Sequence, residues 1–558
     1  MSLSDLEIIG LDSNSSNSAE ESRERIDQQK THLYELIRQL NSNRNDLALI
    51  SKLPPELLGR IFAFVGIVET YPDDIVDEVS PGLLSITYVS QKWRNIALDT
   101  PHLWATPIFY HPTWAKVMLE RSKMADLVID ADCNRIVDPA LMKEVFDNHA
   151  GRIREICLRD ASSSFMTSML EGVQPSSFRL RSLRLRADWT SPNDTESTLF
   201  PTHLLAHPSD LRRLEMEQCA FDWYAQPHQL LTHLMIHDSR NRPLLSEFVT
   251  ALSNMPCLES LEMADSLPVP TSGVKLNPKV HLPKLAFLLL SSTTTLFEVL
   301  DILNFLVVPC TTTIDLSGFE SSTITRVQPS SIGLPLERFF TCMTGNHERA
   351  SFVRFRLCFS DDGINLWAWR NDQLDPSPSL MLTLRHPWVE KCQYFDEIVP
   401  RLPSPLFEVQ TLVIDNDLGQ DVIRRSFGQS TDIRCVELEV GAGVSDFLQV
   451  LTYKPEGYEY LESAYRSLTF PALQSLKFNR VSFSPIVEFE VVLDCLMERY
   501  ERGAELQKLI FHNCFYIDKD DVRLLREIVA DVEWDEIEQT QEPLTTDSSD
   551  SDIYDDWL

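Results

Sequence analysis

Leu211-Arg212-Arg213-Leu214-Glu215-Met216, Leu231-Thr232-His233-Leu234-Met235-Ile236, Leu258-Glu259-Ser260-Leu261-Glu262-Met263 and Leu285-Ala286-Phe287-Leu288-Leu289-Leu290 repeat one template, apolar-x-x-apolar-x-apolar. It also fits Ile153-Ile156-Leu158 and Leu180-Leu183-Leu185 upstream. Downstream it fits Val409-Leu412-Ile414, Ile433-Val436-Leu438, Leu473-Leu476-Phe478 and Leu506-Leu509-Phe511. Less regular copies fall at Met124-Leu127-Ile129, Ile314-Leu316, Phe355-Leu357 and Leu382-Leu384. One match means little where Leu is common, but so many in near-register are hard to produce by chance. Each copy alternates like a strand with one buried face, and helical spacing fills the gaps at Leu244–Met255, Leu296–Val308, Val487–Arg502 and Asp521–Val529. The fold class is therefore α/β: strand and helix stacked side by side, giving a curved solenoid with a parallel sheet on its concave face.

The spacing, typically about 24 to 31 residues, lies near the leucine-rich-repeat period. The asparagine usual after such strands is mostly missing, Asn479 and Asn513 apart. Wide gaps before Phe355 and Leu473 imply inserted loops, so the array over 107–530 is irregular. Strand phase then assigns a surface. If Leu183 and Leu185 point inward, Arg184 and Arg186 face the concave side. The same phase places Arg213, Glu215, Glu217, His233, Met235, His237, Glu262, Leu289, Arg354, Arg356, Arg385, Glu437 and Lys477 there. Two basic groups stand out, Arg184/Arg186/Arg213 and Arg354/Arg356/Arg385. Grouped arginines suit a target protein carrying carboxylates or phosphates. The alternative is that they balance acidic residues on neighbouring strands.

Composition narrows the function. The 558 residues carry 50 Lys and Arg against 83 Asp and Glu, a formal net charge of −33. A nucleic-acid binder usually works from a basic surface, and an anionic membrane disfavours so acidic a protein. No apolar run approaches a membrane span, and the polar, acidic N-terminus predicts no secretory signal. The 11 cysteines include no CxxC pair, so they read as buried thiols of a cytoplasmic or nuclear protein.

Residues 1–18 are too polar to bury anything and are expected to be disordered. Over 19–50, Ile26, Leu33, Leu40 and Leu47 recur every seven residues, with Leu36 and Ile37 at the half-steps. Lys30 and Arg44 interrupt the pattern, which favours a helix packed back on the following domain over a coiled-coil dimer. Beyond Arg526 there is no Lys or Arg while acidic residues accumulate, so 531–558 reads as a disordered tail, with Ser548, Ser549 and Ser551 in a setting that acidophilic kinases favour.

Residues 51–106 form a separate segment. Leu53-Pro54-Pro55-Glu56-Leu57-Leu58 opens a helix with Leu57, Leu58, Ile61, Phe62 and Val65 on a broad apolar face. After an acidic loop (Tyr71 to Pro81), Leu83, Leu84, Ile86, Val89, Trp93, Ile96 and Ala97 again fall at helical spacing, and Pro101-x-Leu103-Trp104 closes the segment. The pattern Leu53-Pro54-x-Glu56-Leu57-x3-Ile61-Phe62, then Val89-Ser90-x-x-Trp93-Arg94-x-Ile96-Ala97, then Pro101-x-Leu103-Trp104, resembles the F-box, in the form found in the large fungal F-box-like group. Ser90 stands where many members carry Cys. With the repeats behind it, the chain is similar to F-box proteins with leucine-rich repeats. The resemblance implies a substrate receptor of a cullin–RING ubiquitin ligase. Its F-box would dock a Skp-type adaptor through Leu53, Pro54, Leu57, Ile61, Phe62, Leu84, Val89, Ser90, Trp93 and Trp104. The alternative is that these residues only cap the open end of the solenoid.

The residues themselves suggest no chemistry. His203/His207 and His233/His237 lack further ligands, Gly441-Ala442-Gly443 lacks the rest of a nucleotide fingerprint, and no Cys stands in a catalytic context. A non-catalytic protein with no metal and no cofactor is expected, with a hydrolase or transferase site among the inserted loops as the competing class.

Overall fold

The computed structural model describes residues 16–68, 81–170, 179–187, 210–221, 223, 229–239, 241–269, 279–319, 330–344, 351–360, 363–370, 377–385, 408–415, 419–428, 430–439, 443–452, 469–483 and 488–538. The loop at 71–80, His203/His207, Gly441-Ala442 and the serines of the tail lie outside these residues. The chain is mixed α/β and divides into two compact units, Met1–Cys157 and Leu158–Leu558.

The first unit begins with helix α1 (Ser16–Asp46), followed by α2 (Pro55–Val68), α3 (Pro81–Val89), α4 (Gln91–Leu98), a 3-10 turn at Pro101–Trp104 and α5 (Pro112–Arg121). Leu58, Phe62, Leu83, Ile86, Ile96, Ala97, Trp104 and Met118 form one buried cluster among these short helices. Trp104 is wholly buried, and its indole N–H donates to the Ala97 carbonyl at 2.8 Å, so the polar atom of a large apolar side chain is satisfied. Helix α1 departs from the expectation that it packs back: Ile26, Leu33, Ile37, Leu40 and Leu47 are all exposed, Leu47 by 80%. A stripe about one residue wide, interrupted by Lys30 and Arg44, has too little apolar area to hold a helix down.

In the second unit most strands belong to one large, mostly parallel sheet. From Ser182 onward its order is Ser182–Ala187, Arg213–Glu217, His233–His237, Ser260–Ala264, Phe287–Ser292 and Thr313–Phe319, then Leu380–Arg385, Gly363–Trp369 and Arg354–Ser360, then Thr411–Asp415, Cys435–Leu438, Ser475–Asn479, Lys508–His512 and Asp531–Trp534. Every template copy in this unit is a strand of the sheet, and the register aligns the copies: Leu214, Leu234, Leu261, Leu288 and Ile314 lie side by side, as do Met216, Ile236, Met263, Leu290 and Leu316. All these side chains are buried.

The chain leaves successive strands in the same way. Gln218, Asp238, Asp265, Arg480 and Asn513, each directly after a strand, have φ between 49° and 59°. From this left-handed turn the N–H groups of Gln218, Asp238, Asp265 and Arg480 reach a carbonyl at the end of the next strand, on His237, Ala264, Ser291 and His512, at 2.8–3.0 Å. Asp and Asn tolerate positive φ better than most residues, which explains part of this set; Gln218 and Arg480 are held there by the repeat itself.

Three features depart from the sequence reading. Gly363–Trp369 is an antiparallel strand, inserted between Arg354–Ser360 and Leu380–Arg385 so that these two copies sit in reversed order. The helix expected over 296–308 ends at Leu303, and Leu306–Val307 instead pairs with Val280–His281. Asp531–Trp534, placed in the acidic tail by charge, is the last strand: Val532 is buried, and Lys508 pairs with Asp531 at 3.3 Å and with Glu533.

Parallel neighbours in chain order require crossovers of one hand, which carry the helices to one face. Helix Leu296–Leu303 lies on that face against Phe287–Ser292 and Thr313–Phe319. Its approach is close enough that a Cβ on Gly318 would lie 2.8 Å from the Leu296 Cα. Gly318→Val is therefore expected to destabilise the protein by about 1–3 kcal/mol, read as a lower midpoint in urea.

Candidate functional site

The first candidate surface lies on helices α2 and α3. Helical phase splits α2 into two apolar faces. Leu58 and Phe62 point inward, Phe62 with 1% of its surface exposed, while Leu57 (44%), Ile61, Phe64 and Val65 face solvent. On α3, Leu83 and Ile86 are buried, whereas Tyr88 (74%) and Val89 are exposed. Of the residues implied by the F-box resemblance, Leu57, Ile61, Val89 and Pro54 are therefore on the surface, and Leu53, Leu84 and Trp93 are half-buried. Phe62 and Trp104 are buried in the module's own core, with the Phe62 and Trp93 rings 4.9 Å apart. Ser90 caps α4, its hydroxyl accepting the Trp93 N–H at 3.1 Å, a role a small polar residue fills whatever docks nearby. Phe64 and Tyr88, which sequence reasoning passed over, extend the exposed face.

The second candidate surface is the face of the sheet opposite the crossovers. Here the arginines singled out by strand phase are paired within the protein. Arg186 lies 3.6 Å from Glu217 and 3.8 Å from Asp160, and Arg213 pairs with Glu215. Arg184 stands opposite Glu215 in register. Arg354 donates to Glu437 at 2.9 Å, and Lys477 reaches the other oxygen of the same carboxylate at 2.6 Å. Arg356 holds Asp415 at 2.7 Å and Glu439 at 3.1 Å. Burial alone would lower the Arg356 pKa, but the hydrogen bond to Asp415 and the charges of Glu439 and Asp415 outweigh it and raise it. Glu437, expected at the surface by phase, is only 3% exposed beneath this layer. The expected triad Arg354/Arg356/Arg385 does not assemble. The inserted antiparallel strand puts Arg385 opposite Gly363, four residues along from the row that joins Arg356 to Trp367 and Met381. That offset is roughly 13 Å along the strands, with two strand spacings across. These pairs balance much of the charge of this face within the protein itself.

Asp315 differs. The phase rule that exposes Leu289 also places Asp315, between Ile314 and Leu316, on this face. Its cross-strand neighbours are Leu289 and Met381, with Trp367 next to Met381. Among the described residues it has no hydrogen bond and no ion pair, and burial pushes its carboxyl pKa up to about 6.

Elsewhere burial pushes the thiols of Cys219 and Cys495 up to about 12 and that of Cys514 to about 11, so they stay protonated at neutral pH. His233 and His237 lie on one strand face, and no group of three or more metal-ligating side chains occurs among the described residues. No described helix is long and apolar enough to cross a membrane. The chain matches no family model and no curated protein.

A folded-state pKa above the unfolded value means that the fold favours protonated Asp315, so its charge weakens the fold above pH 6, and this penalty fades as pH falls toward 3.8. Asp315→Asn is expected to raise stability at pH 7 by about 1–3 kcal/mol, with the gain vanishing below about pH 4 in paired denaturation curves.

Proposed function

We propose that this chain is the substrate-recognition subunit of a Skp–cullin–F-box ubiquitin ligase, binding rather than catalysing. In this reading α2, α3 and α4 are the F-box and dock a Skp-type adaptor. The strand–helix units of Leu158–Leu558 are an irregular leucine-rich-repeat solenoid whose bare sheet face holds a target protein.

One observation carries the proposal. The segment that matches the F-box pattern has buried one apolar face and left a second in solvent, formed by Leu57, Ile61, Phe64, Val65, Tyr88 and Val89. Large apolar side chains left on the surface in this number are characteristic of an interaction site. Each Leu or Ile buried there contributes about 1.5–3 kcal/mol, enough in combination to offset much of the cost of association. A residue that only capped the end of the repeats would have no reason to stay apolar on the outward side.

The other reading is a repeat scaffold acting outside ubiquitination, and one experiment separates the two. The wild type is expected to co-purify with a Skp-type adaptor, and Leu57→Asp with Ile61→Asp to lose at least tenfold in capture. The melting temperature should barely change, because both side chains are already exposed. A folded wild type that captures no adaptor would leave the scaffold reading.

A further inference from the structure

On the sheet face that carries no described helix, several buried or half-buried acidic side chains have gained a base. Glu437 holds Arg354 and Lys477; Glu439 and Asp415 hold Arg356; Glu217 and Glu215 hold Arg186 and Arg213. Asp315 is half-buried, stands in register between Leu289 and Met381, and has gained no base among the described residues. Such a carboxylate costs the fold free energy unless a cation arrives from outside. We propose that the strip Leu289–Asp315–Met381–Trp367 receives a lysine or arginine side chain of the target protein. The inference rests on the reading that this face holds the target, and it reverses the expectation of an acidic or phosphorylated one.

The chemistry around the carboxylate favours a basic side chain over a bare metal ion. A divalent ion needs several oxygen ligands, whereas Asp315 is flanked in register by a leucine and a methionine. The nearby hydroxyls of Ser317 and Ser291 are engaged with each other at 2.7 Å. Lysine and arginine instead combine a cationic end with methylenes that lie well on Leu289, Met381 and the Trp367 ring. Trp367 already stacks one guanidinium, that of Arg356 at 5.4 Å, so its face suits cations. At longer range the net charge of −33 draws a basic segment in and turns an acidic one away.

The test uses the purified full chain and a displayed library of random twelve-residue peptides, selected separately on wild type and on Asp315→Asn. Lys and Arg should rise at least twofold over the input library on wild type and stay at the input level on the variant. Replacing the selected Lys or Arg by Gln should weaken binding to wild type at least tenfold, and to the variant less than twofold. No enrichment, equal enrichment on both proteins, or enrichment of Asp and Glu would overturn the inference. Adaptor co-purification from the same preparations keeps the two ideas apart. Adaptor capture without basic enrichment removes the strip alone; enrichment without capture removes the ligase reading and leaves the strip standing.

Discussion

In a parallel sheet whose strands follow chain order, each crossover takes the same hand and returns to the same face. The apolar template residues of the strands therefore point to that one face, and the period of two puts the residues between them on the other. Leu214, Leu234, Leu261 and Leu288 align because each is the same position of the same unit, and the left-handed residues Gln218, Asp238 and Asp265 after the first three of these strands restart the unit in step. The sheet can be long without a three-dimensional plan: each strand needs only its neighbour. Among the described residues the same constraint leaves a wide face with no helix on it, and side chains there must make that face compatible with water.

Two solutions are visible there. Toward the C-terminal strands the face is closed by ion pairs, with Arg354 and Arg356 over Glu437, Glu439 and Asp415, and with the rings of Trp369 and Trp367 beneath the guanidinium groups. Buried carboxylates held this way are structural, and removing one arginine would leave a desolvated charge behind. Around Asp315 the solution is different, because leucine and methionine stand where arginine would be needed. The fold tolerates a charge there at the expense of stability.

The helical module has the opposite economy of surface. It is small, and its short helices supply more large apolar side chains than one interior can take. Phe62, Trp104 and Leu58 fill that interior, and Leu57, Ile61 and Val89 remain outside. A pattern read along the chain lists both groups together, since a motif records which residues recur without recording which way they face.

The sequence by itself determined the strands, because a period of two with leucine at fixed places is a local property and survives any arrangement of the units. It determined the helical module as well, through two proline-opened apolar stretches and the Leu103-Trp104 anchor. It reached as far as the face on which each arginine lies, since side-chain phase follows from strand geometry. Pairing was beyond it. Whether Arg354 meets Glu437, whether Arg385 joins Arg356, and whether Asp315 meets a base depend on which strands are neighbours, and the antiparallel strand Gly363–Trp369 rearranged that order without a signal in the repeat. Helix α1 was legible as a helix but not as an exposed one, for packing depends on the area a partner offers. Tertiary structure alone decided these points, because Coulomb and packing energies act through space between residues that the chain keeps far apart.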